Sequence, residues 1–342
     1  MVSKDDFPLD MQKALEQFGC EAQQIIKAFV KTVSSRKRPD RIYHYTDDAG
    51  LKGILEHGTL WLTDICRLND PSELDHGFKI GIEELEKMVI GCPRECQDFS
   101  KLLASVTADH DLQGAAQTGD HKIQGSAHYF VCSFSSCGDD LGQWRAYAAN
   151  GSGFALEFDS AALEDGFTHN SSTAPNAEDH AVSFPITYKD AKLADLDRQI
   201  IERMLGLISL PRGRNLKDDE INSYTRELAL SLMLQAAHAA IFFKHQAYKS
   251  EREYRFLETY SVEEPPKVEL RYRPYSVIRY RNFYWRSVAP GALKRILIGP
   301  AADKEKATTF AQDCLELFHP GANNVQIDCS PIPYRTFDLR SK

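Results

Sequence analysis

Three short blocks, far apart in the chain, carry the groups that could do chemistry together. In the first, Ile42-Tyr43-His44-Tyr45-Thr46, strand alternation puts Ile42, His44 and Thr46 on one face and Tyr43 and Tyr45 on the other. An imidazole with a hydroxyl two residues on can hydrogen-bond the hydroxyls of a ribose; the plainer reading is a half-buried structural histidine. In the second, Val131, Ser133 and Ser135 share a face while Cys132 and Phe134 point into a core. Two serines so placed can brace a nucleotide or a catalytic carboxylate, or they line the wet face of an edge strand. In the third, Glu251, Glu253 and Arg255 share a face opposite Tyr254 and Phe256. Carboxylates at i and i+2 stand about 7 Å apart at their bases. Like charges that close raise at least one pKa, which suits a group that polarises a hydroxyl. The same pair suits a glycosidase, although those sites draw acid and base from separate elements. The alternative is a solvated strand with an Arg255 ion pair. Trp144 and Tyr147, three apart, can share a helical face and stack on a flat ring or pack in a core. Asn69 and Asp70 form a turn and cap; Glu73 beside them can order a loop or touch substrate.

The elements that must position these groups follow from pattern. Residues 10–33 repeat apolar groups at helical spacing (Leu15, Phe18, Ala22, Ile25, Ile26, Phe29, Val33) and predict an N-terminal helical brace spanning 1–40. Residues 41–63 read as strand, helix, strand: Asp47 caps the helix, Leu51, Ile54 and Leu55 form its apolar face, and Gly58 stops it. A helix to about Met88 follows Asn69-Asp70-Pro71. Residues 107–127 and 161–180 read as polar loops. Strands are predicted at 128–135, 153–158, 183–188 and 251–257, and helices at 192–209 and 218–246. The second of these is apolar nearly all round, which predicts a central position. The tail, about 290–335, reads as strand, helix, strand. No dinucleotide-binding glycine loop and no phosphate-binding P-loop is present.

Composition sets the frame. The 342 residues are 42% hydrophobic and 26% charged, and 41 Lys+Arg against 49 Asp+Glu give a formal net charge of −8. This is globular composition, acidic enough to speak against a general polyanion binder but compatible with a local basic patch. No run approaches the roughly 18 apolar residues of a membrane span, and Met1 to Asp10 carries no apolar signal core, so a cytoplasmic protein with reduced thiols is expected. The single C-x3-C of Cys92 and Cys96 lacks a second pair, and no metal is expected.

The order HYT, LNDPSE, SFS-x8-W-x2-Y, GFALEFD, KSEREYRF and IGP, over residues 41 to 335, resembles a widespread bacterial family known as a domain of unknown function. A more distant resemblance is to ADP-ribosyltransferases. It implies an α+β fold with an ADP-ribosyltransferase-like split, mixed or antiparallel β-sheet core, surrounding helices and an α/β C-terminal extension. The catalytic domain would span 41–342 with a helical insertion at about 190–246. The resemblance implies NAD as co-substrate, with His44, Tyr45, Thr46, Ser133, Ser135, Trp144 and Tyr147 binding it. Glu253 would be the catalytic carboxylate, bonded to the ribose 2′-hydroxyl, with Glu251 accessory. The second motif departs from the family, S-F-S standing for S-T-S, and the ring that stacks on nicotinamide is Tyr45, Trp144 or Tyr147. A toxin or phage-defence effector held by an antitoxin or inhibitory partner fits the analogy. The alternatives are a non-catalytic nucleic-acid or protein binding module, an NAD glycohydrolase or an RNA 2′-phosphotransferase.

For the acceptor, residues 267–295 break the acidic average. Arg271, Arg273, Arg279 and Arg281 interleave with Tyr272, Tyr275, Tyr280, Tyr284 and Trp285. Basic and aromatic residues so mixed suit single-stranded nucleic acid. They equally suit strands whose arginines cover a sheet. A nucleic-acid or protein acceptor is expected, with Asn69, Asp70 and Glu73 as further substrate contacts.

Overall fold

The structure is a computed structural model that describes residues 7–36, 38–68, 72–109, 127–171, 181–261, 265–273, 275–321 and 324–334. In chain order its first half contains α1 (Leu9–Ser34), β1 (Arg41–Thr46), α2 (Asp48–His57), β2 (Leu60–Asp64), α3 (Ser72–Met88), α4 (Arg94–Asp109), β3 (Ala127–Ser135), α5 (Leu141–Tyr147), β4 (Phe154–Asp159) and α6 (Ser160–Ser171). Then follow β5 (Ala181–Pro185), α7 (Asp190–Ile208), α8 (Asp218–Ala240), β6 (Glu253–Ser261), β7 (Glu269–Arg273), β8 (Ser276–Phe283), α9 (Trp285–Val288), β9 (Leu293–Ile298), α10 (Lys304–Phe318) and β10 (Gln326–Cys329). The chain divides into two units. One gathers Met1–Ser35, Cys66–Ala127 and Thr187–Ala247, the other Arg36–Ile65, His128–Ile186 and Tyr248–Lys342.

The first unit is helical. The α1 helix buries Met11, Leu15, Phe18, Ala22, Ile26 and Val33, steps of three, four and finally seven that make one apolar stripe. As its composition predicts, α8 is central there, packing against α1, α3, α4 and α7. It ends at Ala240 rather than 246. Between α3, α4, α7 and α8 lies an apolar cavity lined by Phe78, Ile82, Leu103, Ile200, Leu232 and Met233, with Asp197 on its wall. Asp197 is buried, and among the described residues its Oδ2 has no hydrogen-bond partner. Burial first, and then the Glu84 charge, push its pKa well above the usual carboxylate range. Glu84 itself stays ionised. Burial opposes this, but hydrogen bonds from Arg198 and Lys87 outweigh it and hold its pKa down.

The second unit is built on one mixed sheet, which gives the α+β class expected from the sequence. The strand order is β10-β9-β4-β1-β3-β2-β8-β7, with β6 bonded to β3 and β5 to β6. The β9–β10 pair is parallel, completing the strand-helix-strand tail around α10. The β1–β4 pair runs antiparallel from Arg41 opposite Asp159 to Thr46 opposite Phe154. The β4 strand, FALEFD, is buried over five of its six residues, as a central strand must be. The β3 strand pairs β2 through Phe130 and Val131 and meets β1 at Ser135 opposite Tyr43. One strand thus joins β1, β2 and β6. The α2 helix starts and stops as predicted: the Asp47 side chain accepts from Gly50 N at 2.7 Å, and Gly58 ends it at φ +63°. The core is aromatic, with Phe134 against Phe158 and Phe256, and Phe167 against Phe256 and Phe283.

Three local expectations are corrected. Residues 160–171 are helical, not loop: Asp159 Oδ1 accepts from Ala162 N, and Leu163 and Phe167, four apart, are buried. Glu251 is not on a strand; it closes a 3-10 turn, Gln246–Glu251, and β6 starts at Glu253. The strand predicted at 183–188 spans Ala181–Pro185. The loop predicted at 107–127 lies mostly outside the described residues.

The folded state keeps Asp197 protonated while the unfolded chain ionises it near pH 4, so stability falls as pH rises from that value toward the raised folded pKa. Asp197→Asn, which cannot ionise, should leave the midpoint of thermal unfolding nearly unchanged at pH 4 and raise it by several degrees at pH 7. A variant less stable than the native chain at pH 7 would mean that this carboxyl is charged and held in the fold.

Candidate active site

Strands β1, β3 and β6 bring the three sequence blocks together. Past Tyr43 and Ser135, where the two strands meet, His44 Nδ1 lies 3.2 Å from the Ser133 carbonyl. A carbonyl only accepts, so Nδ1 carries the proton and Nε2 is the acceptor of the neutral ring. The ring meets Phe134 edge-on at 5.7 Å. Burial lowers its pKa, outweighing the Ser133 hydrogen bond, which favours the charged form. From the same Ser133, Oγ donates to Glu253 Oε1 at 2.6 Å. That oxygen also receives Arg255 Nε at 2.8 Å and Nη2 at 2.7 Å. Glu253 is 5% exposed and Arg255 1%. Alternation along β6 puts Tyr254 and Phe256 into the core and leaves Glu253 and Arg255 on the face shared with Ser133.

Glu251 departs from the expected pairing. Arg252, at φ +46°, turns the chain between the two carboxylates, so they do not share a strand face. Glu251 is half-buried and its carboxylate accepts the Tyr147 hydroxyl at 2.7 Å. Its carbonyl accepts Ser135 Oγ at 2.8 Å, and Ser135 Oγ in turn accepts Cys137 N. Ser135 is buried and positions backbone; Ser133 reaches the carboxylate.

Of the three candidate stacking rings, one is presented to solvent. Trp144 is fully buried, its Nε1 donating to Asp139 Oδ1 at 2.6 Å, where Ser330 Oγ also donates. Tyr45 is buried edge-on against Trp144. Its hydroxyl donates to the Cys137 carbonyl and accepts from Asp140 N. These two rings pin the 136–140 loop, because buried indole and phenol groups need partners for their polar ends. Tyr147 is 38% exposed. Thr46 lies apart from the cluster, its side chain filling the space that a Cβ on Gly50 would take at the start of α2.

The arginines of the basic stretch are engaged within the sheet. Arg279 pairs with buried Asp64 at 3.4 Å. Arg281 pairs with Glu258 at 2.7 Å and covers the Tyr260 ring, and Arg271 covers Trp61. Arg273 ends β7, its side chain outside the described residues. Trp285 and Tyr280 are buried, whereas Tyr272, Tyr275 and Tyr284 are exposed. Asn69 and Asp70 lie outside the described residues; Glu73 lies in α3, with its side chain likewise outside. Among the described residues no group of three or more His, Cys, Asp or Glu side chains could hold a metal ion.

Sequence reasoning missed Tyr147 as the partner of Glu251, Tyr45 as a loop pin, and Asp139. The Asp140 side chain caps α5 by accepting from Gln143 N. Asp139 carries no comparable signal.

Residues 143–256 match a family described as protein of unknown function (DUF2971). The match takes in Tyr147, Glu251 and Glu253 and excludes His44 and Ser133. No curated protein and no solved structure matches the chain.

Arg255→Met should destabilise by about 3–5 kcal/mol in denaturant unfolding, because it strands a buried carboxylate. Adding Glu253→Leu to it should recover much of that loss. Additive losses would show that the pair is not coupled. The depressed pKa of His44 means that stability is lost as pH falls through about 6.5, where the unfolded ring takes up a proton. By NMR, the His44 ring should titrate with a midpoint below 6.5; a midpoint above it would contradict the neutral ring.

Proposed function

We propose that the chain is an NAD-dependent ADP-ribosyltransferase acting on a macromolecule, nucleic acid or protein. One observation carries this reading. His44, Ser133 and Glu253, drawn from three distant segments, converge on a node in which a single serine touches both the imidazole and the carboxylate.

The reaction asks for charge stabilisation. Breaking the bond between the ribose C1′ and nicotinamide nitrogen leaves positive charge on the ribose, and neutral nicotinamide departs with the electron pair. The acceptor then bonds to C1′ and gives up its proton. A carboxylate against the 2′-hydroxyl stabilises that cationic state, and it works best when already oriented. Arg255 and Ser133 give Glu253 such an orientation. Glu251, which accepts the Tyr147 hydroxyl, would receive the acceptor's proton, and nicotinamide would stack on the exposed Tyr147 ring. His44, neutral, offers Nε2 to a ribose hydroxyl.

A second reading is favoured by the same ion pair. A carboxylate buried and clamped by arginine also suits a binding module that keeps the fold without the chemistry.

Incubation with NAD labelled in its adenylate half, beside separate pools of RNA, DNA and protein, should move label into one pool and release nicotinamide. Glu253→Gln should still bind NAD while turnover falls by about 100-fold or more. Full activity in that variant would end the assignment of Glu253. Nicotinamide release with free ADP-ribose alone would make the protein a glycohydrolase, and NAD left intact would favour the binding module.

A further inference from the structure

The loop between β3 and α5, residues 136–140, reaches Glu251 from both of its ends. At its start, Ser135 Oγ donates to the Glu251 carbonyl at 2.8 Å and accepts from Cys137 N. Ser136 donates to the next carbonyl, that of Arg252, from both its N, at 2.9 Å, and its Oγ, at 3.2 Å. At the other end Asp140 caps α5, and α5 carries Tyr147, whose hydroxyl donates to the Glu251 carboxylate at 2.7 Å. The backbone and the carboxylate of one residue are thus held from the two ends of one short loop. Where that loop sits decides where Glu251 points.

Asp139 fixes the middle of the loop. Its Oδ1 accepts two hydrogen bonds, from the fully buried Trp144 indole at 2.6 Å and from Ser330 Oγ at 2.7 Å. Ser330 is itself buried, just past β10, and is held in place. Its N donates to the carbonyl of Ile298, the last residue of β9, at 2.8 Å, and its Oγ accepts from Ile332 N. Asp139 therefore ties the loop to the β9–β10 end of the sheet. It also seats the indole. Trp144 and Tyr147 are three apart on α5, so the seated ring sets the rotation of the helix that presents the Tyr147 hydroxyl. Tyr45 holds the same loop from β1, at Cys137 and Asp140; Asp139 joins it to a different pair of strands.

We propose that Asp139 is a positioning residue: anchored by Ser330, it holds the 136–140 loop and α5 so that Glu251 meets the acceptor. The anchor stands without any ligand, whereas the role of Glu251 toward the acceptor rests on the NAD reading above.

Two measurements on the full chain test the two parts. Hydrogen exchange reads the anchor. Asp139→Ala should speed exchange of the Ser136 and Cys137 amides by about tenfold, while the β4 amides stay protected. Asp139→Asn, which keeps an oxygen acceptor for Trp144 and Ser330, should exchange as the native chain does, and Ser330→Ala should fall between. The second measurement is the partition of labelled NAD. In transfer the bond from C1′ to nicotinamide breaks, nicotinamide leaves with the electron pair, and the acceptor bonds to C1′ as its proton passes to Glu251. With Glu251 misplaced, water takes the acceptor's place, loses its proton to solvent and gives free ADP-ribose. Label transferred per nicotinamide released should therefore drop by about tenfold in Asp139→Ala and be kept in Asp139→Asn. A smaller folded fraction alone leaves that ratio untouched, as Asp303→Ala, which removes the N-cap of α10, should show. Native exchange at Ser136 and Cys137 in Asp139→Ala would overturn the anchor. A native ratio despite faster exchange would overturn its role toward Glu251 and leave the NAD reading standing. If the native chain leaves NAD intact or gives only free ADP-ribose, the transferase reading and the role toward the acceptor fall together, and exchange alone decides the anchor.

Discussion

The buried ion pair of Glu253 and Arg255 is the constraint on which the rest of the second unit's sheet depends. Removing either charge from water costs several kcal/mol, and mutual attraction repays that cost only with good geometry and additional hydrogen bonds. Two guanidinium nitrogens reach the same carboxylate oxygen, and Ser133 adds a third donor. The pair therefore fixes more than two side chains. It holds β6 against β3 in one register, and β3 is the strand that also meets β1 and β2. Because Ser133 uses its hydroxyl for Glu253 and its carbonyl for His44, a shift of β3 by one residue would break both contacts and turn Ser133 to the opposite face.

This explains which parts of the site are legible in the sequence. Period-two alternation assigns faces reliably inside strands, so His44, Ser133 and Glu253 could be named from pattern, as could the Asp47 and Gly58 ends of α2. The same rule fails for Glu251 because it assumes that the strand has already begun. The break at Arg252 has no sequence signature, since arginine is not a residue chosen for positive φ. The α6 helix was obscured by the polar residues that follow it. Its signal, Leu163 and Phe167 four apart, is a single pair, too short to outweigh them. Trp144 and Tyr147 are three apart, yet one is interior and the other half-exposed. The indole nitrogen finds its acceptor in Asp139, a contact that helical spacing does not encode.

The basic stretch shows the limit of counting charge along a chain. Residues 267–295 hold a clear excess of arginine, but a sheet sets each strand against partners remote in sequence. Asp64 comes to Arg279 and Glu258 to Arg281, while Trp61 and Tyr260 lie under guanidinium groups. Much of the apparent positive field is neutralised by residues that the linear pattern places elsewhere. What remains unabsorbed is aromatic: Tyr272 and Tyr275 stand out from the β7–β8 hairpin and its turn, and Tyr284 just past β8. Any acceptor bound there would be held by stacking more than by phosphate pairing.

The protonation states around the node limit the chemistry further. Burial, with the nearby Glu253 charge, pushes the Cys132 thiol up to about 12, so it is not a nucleophile at neutral pH. Burial likewise raises the Tyr45 phenol far above its ordinary value. The His44 imidazole stays neutral because burial disfavours its cation. A cluster with a protonated thiol, a protonated phenol, a neutral imidazole and an oriented carboxylate is poorly suited to launch covalent attack. It is well suited to hold a neutral sugar by hydrogen bonds and to stabilise positive charge that develops on it. On the function proposed above, that is the environment a departing nicotinamide would require of the buried clamp.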